Sequence, residues 1–121
     1  MFLVLQELKT KYMNKFILAK NSENRIVLRY ANVDFHYMMV YKNDKAIYGG
    51  GMFDFSKDGM TMVLYGKSSD YGEPKFDMIK EKIHIDEDLA GCTIKLSTGY
   101  DKNFKAIEKD ITDRFIFDEW C

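Results

Sequence analysis

Short apolar runs separated by polar or glycine-rich breaks set the pattern of this chain. The run Lys15-Phe16-Ile17-Leu18-Ala19 is closed by Asn21-Ser22-Glu23-Asn24 and followed by Arg25-Ile26-Val27-Leu28-Arg29-Tyr30. Two strand-length apolar runs flanking a turn predict a β-hairpin. Asn32 or Asp34 is placed to cap a helix running to Lys42, with Phe35, Met38 and Met39 on its inner face and Asn43-Asp44 as its stop. Residues 45–55 read as a strand interrupted by Gly49-Gly50-Gly51, and Lys57-Asp58-Gly59 turns it into a partner strand over 60–65.

Residues 66–72 form a polar loop. Pro74 then suits the first turn of a second helix, with Phe76, Ile79, Lys80 and Ile83 at helical spacing. Residues 91–97 predict a last core strand. In the tail, 101–121, Phe104, Ile107 and Ile111 recur at helical spacing, and Phe115-Ile116-Phe117 suits an extended piece. The tail is too apolar to be left free, so it is expected to dock on the domain. Strand pairs interleaved with helices predict an α/β (α+β) domain: a mixed sheet flanked by two α-helices, with a docked C-terminal extension.

Composition agrees with one folded unit over 1–121. The chain is 46% hydrophobic and 31% charged, with a single proline, enough apolar surface to offset the entropy of ordering. Eighteen basic against nineteen acidic side chains give a net charge of −1, so no electrostatic footprint for nucleic acid is present. No apolar stretch is long enough to span a membrane, and the brief opening run Met1-Phe2-Leu3-Val4-Leu5 lacks a basic flank and a cleavage site. Cys92 and Cys121 make no disulfide framework or metal motif and read as reduced thiols, which points to the cytoplasm.

Chemistry has few candidates. The chain holds two histidines, His36 and His84; imidazole is the natural general base near neutral pH. Taken alone, His36 reads more readily as a structural side chain than as a catalytic one, and His84 as the far end of the second helix. The stretch Gly66-Lys67-Ser68-Ser69-Asp70-Tyr71-Gly72, ahead of Pro74, frames hydroxyls and a lysine before a helix start, where backbone amides hold anions. Its spacing is not that of a P-loop. No Cys, His or carboxylate cluster has metal-ligand spacing, so no metal or cofactor is expected.

These features occur in an order that resembles the janus/phosphohistidine phosphatase family: Asp34-Phe35-His36, then Gly49-Gly50-Gly51, then thirteen residues, then Tyr65-Gly66-Lys67-Ser68 and Tyr71-Gly72. Lys15-Phe16-Ile17-Leu18, Glu81-Lys82-Ile83 and Ser97-Thr98-Gly99-Tyr100 agree, so the resemblance spans about residues 14–100. It implies a metal-independent protein-histidine phosphatase that hydrolyses the P–N bond of phosphohistidine in a protein substrate, as a monomer without nucleic acid or membrane. By that resemblance His36 matches the catalytic histidine, as base or phosphate acceptor. Lys15 matches a phosphate-side lysine, and Ser68, Ser69 and Asp70, with Lys67, match the phosphate loop. The chain departs from the family at Met52 for an arginine, Phe76 for a second histidine, and Leu28, beside Arg29, for a second arginine. Lys67 and Arg29 are the cations available to compensate. The rival expectation is a catalytically weak or inactive relative that binds a phosphorylated or acidic partner.

Overall fold

The computed structural model describes residues 13–118. Eight strands form one mixed sheet: β1 (Met13–Lys20), β2 (Ile26–Val33), β3 (Ala46–Phe55), β4 (Thr61–Tyr65), β5 (Ile83–Ile85), β6 (Thr93–Tyr100), β7 (Ala106–Asp110) and β8 (Phe115–Phe117), in the order β7-β6-β4-β3-β1-β2-β5-β8. β1 pairs antiparallel with both β2 and β3, and β3 antiparallel with β4, so the two expected hairpins form. β4–β6, β2–β5 and β5–β8 are parallel.

Only four residues separate β7, at one edge of the sheet, from β8, at the other. Flat, eight strands would be about 34 Å across, whereas the connection from Asp110 to Phe115 spans at most about 18 Å. The sheet is therefore curled until its edges approach. Its concave face holds the main core, where Phe16, Leu18, Leu28, Leu64 and Ile94 meet Phe76, Ile111 and Phe115. A smaller cluster on the other face gathers Ile17, Ala19 and Val27 under Met39. β1 is thus buried on both sides, which explains its unbroken apolar run.

The expected pair of flanking α-helices is corrected: the described residues contain four 3-10 turns (His36–Met39, Phe76–Met78, Glu87–Leu89, Thr112–Arg114) and no α-helix. The first predicted helix shrinks to His36–Met39. Its window is about nine residues, too short to repay nucleation, and Phe35, Tyr37, Val40 and Tyr41 within it are weak helix formers. No side chain caps it, and Val40 is already extended. The second shrinks to Phe76–Met78, and Ile79 is extended after it. Ile83-His84-Ile85 then alternates as a strand, with both isoleucines buried and His84 half-buried. His84 is therefore not at a helix end; its Nδ1 lies 2.9 Å from an Asp118 carboxylate oxygen.

The tail is corrected too. Asp101 Oδ1 accepts from the amides of Asn103 and Lys105, a side-chain-stabilised turn that sends β7 back along β6 instead of opening a helix. Ile111 and Phe115 enter the core, while Phe104 and Ile107 stay exposed. Trp120 and Cys121 lie outside the described residues, as does the opening run of apolar residues. Among the described residues no helix is long and apolar enough to cross a membrane.

Candidate functional site

Cross-strand register puts Lys15 beside Met52, and Met52 beside Tyr65. Along β1, Lys15 shares a face with Ile17 and Ala19, so it sits on the convex side with the His36–Met39 turn. Phe35 enters that turn extended, and the Lys15 ammonium donates to the Asp34 carbonyl. The same ammonium lies 5.8 Å from the centroid of the Phe35 ring, within cation–π range.

His36 is 3% exposed, so only an edge of its ring reaches solvent. Its Nε2 lies 2.8 Å from the Gly51 carbonyl oxygen. A carbonyl only accepts, so Nε2 carries the hydrogen and the neutral ring keeps its lone pair on Nδ1. The ring needs Gly50 beneath it. A Cβ there would stand 3.2 Å from His36 Cδ2 and 2.3 Å from the Phe16 carbonyl oxygen. Desolvation lowers the imidazole pKa from its ordinary 6.5; the Gly51 carbonyl opposes this, the Lys15 charge adds to it, and Asp70 opposes it, with a lowered value as the outcome. His36 is consequently a neutral base at pH 7.

The loop after β4 packs on the same glycine. Ser68 donates its amide to the carbonyls of Gly50 (3.0 Å) and Gly72 (3.1 Å). Its buried hydroxyl accepts from the amides of Asp70 (3.2 Å) and Tyr71 (3.1 Å). Ser68 therefore braces the loop, and two of the three amides expected to hold phosphate are engaged inside it. No helix follows to add its dipole. The Ser69 amide has no hydrogen-bond partner among the described residues.

A cleft of about 330 Å³ brings the remaining candidates together: Lys15, His36, Lys67, Ser69 and Asp70 line it, with Met13, Asp34, Phe35 and Met52. Two lysines and two aspartates line it, so its charge is balanced. Phe76, at the second-histidine position, is buried in the core and takes no part.

Arg29 lies outside the cleft. Its guanidinium grips Asp44 through two bonds, 2.6 and 2.8 Å, donates to the Met39 carbonyl at 3.0 Å, and stacks 3.7 Å from the Tyr41 ring centroid. Burial pushes the Asp44 carboxyl up, but the Arg29 bonds, the Tyr41 amide and the Arg29 charge together hold it below its ordinary value. Arg29 fastens the segment that carries His36, so Lys67 alone of the two spare cations faces the cleft.

Sequence reasoning did not single out Asp44 or the stacked rings of Phe35 and Tyr37, whose centroids are 5.3 Å apart. A buried Arg–Asp pair fifteen positions apart has no local spacing to betray it. The alternation of β2 did carry a signal, because Arg29 interrupts an apolar strand and so demands a buried partner. Among the described residues no three His, Cys, Asp or Glu side chains group as metal ligands. No family model, curated protein or solved structure matches the chain.

Proposed function

We propose that the protein is a phosphohistidine phosphatase-like hydrolase, with His36 as general base and Lys15 and Lys67 as partners for the phosphoryl oxygens. The observation that carries this reading is the cleft itself: three separate stretches of chain bring Lys15, a neutral His36 and Lys67, Ser69 and Asp70 to it. Phosphoryl transfer asks mainly for positioning and charge stabilisation, which these residues can supply. Water attacks phosphorus as Nδ1 of His36 takes its proton. The P–N bond breaks as the substrate imidazole, already protonated on its other nitrogen, leaves neutral with the bond's electron pair, and the proton held by His36 then passes to solvent. The reaction proposed needs no metal, and the setting proposed is a monomer in the cytoplasm acting on a phosphohistidine-containing protein.

Hydrolysis of phosphohistidine by wild type beside His36→Ala tests it: wild-type turnover, lost in the variant with the fold kept, supports the reading. Equal rates in both overturn it. With the Ser68 and Asp70 amides engaged, fewer donors remain to stabilise a transition state, which favours a second reading, a non-catalytic binder of a phosphorylated or acidic partner. Saturable binding of a phosphohistidine peptide with no turnover would select that one.

A further inference from the structure

Beyond the cleft, the sheet opens. β4 pairs with β6 from Thr61↔Thr93 to Leu64↔Leu96 and then stops. Gly66, at φ +72°, turns the chain away from that lane. The diverted loop joins β3 instead: the amides of Gly50 and Lys75 donate to the carbonyls of Gly72 and Tyr48, and Ser68 donates to Gly50. β6, however, runs on to Tyr100 and is paired over that stretch with β7 on its far side. On the near side no β4 residue is registered opposite residues 97–100: the Leu64↔Leu96 pairing engages the Ser97 amide as its last group, and Gly99, at φ +50°, bends the edge beyond it.

The vacated lane is a cavity. One part, about 430 Å³, lies between Gly66, Lys67, Glu73 and Pro74 on one wall and residues 96–99 on the other. A second part, about 530 Å³, continues past Tyr65 to Tyr100 and Ala106. Both share Gly66, Ser97, Thr98 and Gly99, while Lys67 also lines the His36 cleft. The slot therefore follows the edge of β6 past Leu96 and meets the His36 cleft at Lys67.

We infer that this slot takes an extended polypeptide segment, added as a strand beside residues 97–100 of β6, with a phosphorylated side chain of that segment meeting Lys67 at the cleft. The backbone groups that β4 leaves unmatched past Leu96 can be met by another backbone, which is how strand addition gains affinity independent of sequence. Charge selects the orientation of the occupant, because the lysine lies where slot and cleft join. The second half of the inference, delivery to His36, rests on the hydrolase reading; the slot does not.

The test is amide chemical-shift mapping on the full chain. The probe is an acetylated, amidated hexapeptide of threonine, valine and alanine around one histidine. Shifts at 66–67 and 97–100 are expected, with binding weakened about tenfold when residues flanking the histidine are N-methylated on the backbone. Phosphorylating the histidine should tighten binding about tenfold, and added salt should reverse that gain. No shifts at about 5 mM peptide, or equal binding of the N-methylated peptide, would overturn the slot. Equal binding of the phosphorylated and plain peptides would overturn its link to the cleft. A phosphopeptide that binds this way without being hydrolysed leaves the slot standing and removes the hydrolase reading.

Discussion

Nε2 of His36 donates to the carbonyl of Gly51 at 2.8 Å, across fifteen positions of sequence. The bond fixes the tautomer and ties the ring to β3, so the basic nitrogen is set by backbone geometry rather than by a neighbouring carboxylate. Burial, against the opposing pull of the Gly51 carbonyl, holds the folded pKa of His36 below the ordinary 6.5.

The sign of the pH dependence follows. Between 6.5 and the lower folded value the unfolded chain binds more protons than the folded one, so stability is present in full above 6.5 and is lost as pH falls through that window. The acid limb of kcat/KM should likewise lie below the usual imidazole range. NMR titration of the His36 ring checks both. A midpoint at or above 6.5 would remove the argument. His36→Gln should lower hydrolysis about 10²–10⁴-fold, with His84→Ala as a control that leaves it unchanged.

Gly50 bears the ring of His36 on one side and the Phe16 carbonyl close by. Gly50→Ala puts a methyl group 2.3 Å from a backbone oxygen, which only a shift of β1 against β3 can relieve. Overpacking of this kind costs about 1–3 kcal/mol or more, and it should displace the His36 resonances as well. Denaturant unfolding and ring chemical shifts test the two effects separately. An alanine there with wild-type stability would show that the two strands are not so closely fixed.

The Arg29–Asp44 pair is almost sealed, at 3% exposure for each side chain. Removing one partner leaves a buried charge uncompensated, so Asp44→Asn or Arg29→Met should cost about 3–5 kcal/mol. Because Arg29 also holds the Met39 carbonyl at the end of the His36 turn, the same variants should broaden the His36 resonances. Lys at position 29 keeps the charge but not the two-pronged geometry and should recover only part of the loss.

Strands and hairpins were legible where local chemistry specified them. Asp58 takes the Ser56 hydroxyl and the Met60 amide in the turn read from Lys57-Asp58-Gly59, and β1 shows its two-sided burial as an unbroken apolar run. The helices were misread because three apolar residues at helical spacing in a nine-residue window fit a single 3-10 turn equally well. At the site, the order of motifs singled out Lys15, His36, Lys67, Ser69 and Asp70, which the fold brings together. The amide donors of the loop were not legible, since only the fold reveals that Ser68 and Gly50 already engage them. Arg29–Asp44 was hidden for the same reason: the pair exists only after β2 and the 36–44 segment are folded onto each other.

The tail shows how one apolar pattern can have two fates. Phe104, Ile107 and Ile111 share helical spacing, yet Phe104 is 86% exposed at the tip of a turn while Ile111 lies in the core. Phe104 also has φ +65°, a conformation that costs a bulky residue about 1–2 kcal/mol. Phe104→Gly or Phe104→Asn should therefore leave stability unchanged or raise it by up to about 1 kcal/mol, despite deleting a large apolar side chain. Ile111→Ala should cost about 2–5 kcal/mol and Phe115→Ala about 3–5, since both fill the space where the curled sheet's edges approach. Ending the chain at Tyr100 removes β7, uncovers an edge of β6 and empties both core positions, so the melting temperature should fall and aggregation should rise. Thermal unfolding of these five proteins beside wild type separates the cases. A destabilised Phe104→Gly, or a truncated chain as stable as the whole, would mean that the tail is held by contacts other than Ile111, Phe115 and the β6–β7 ladder.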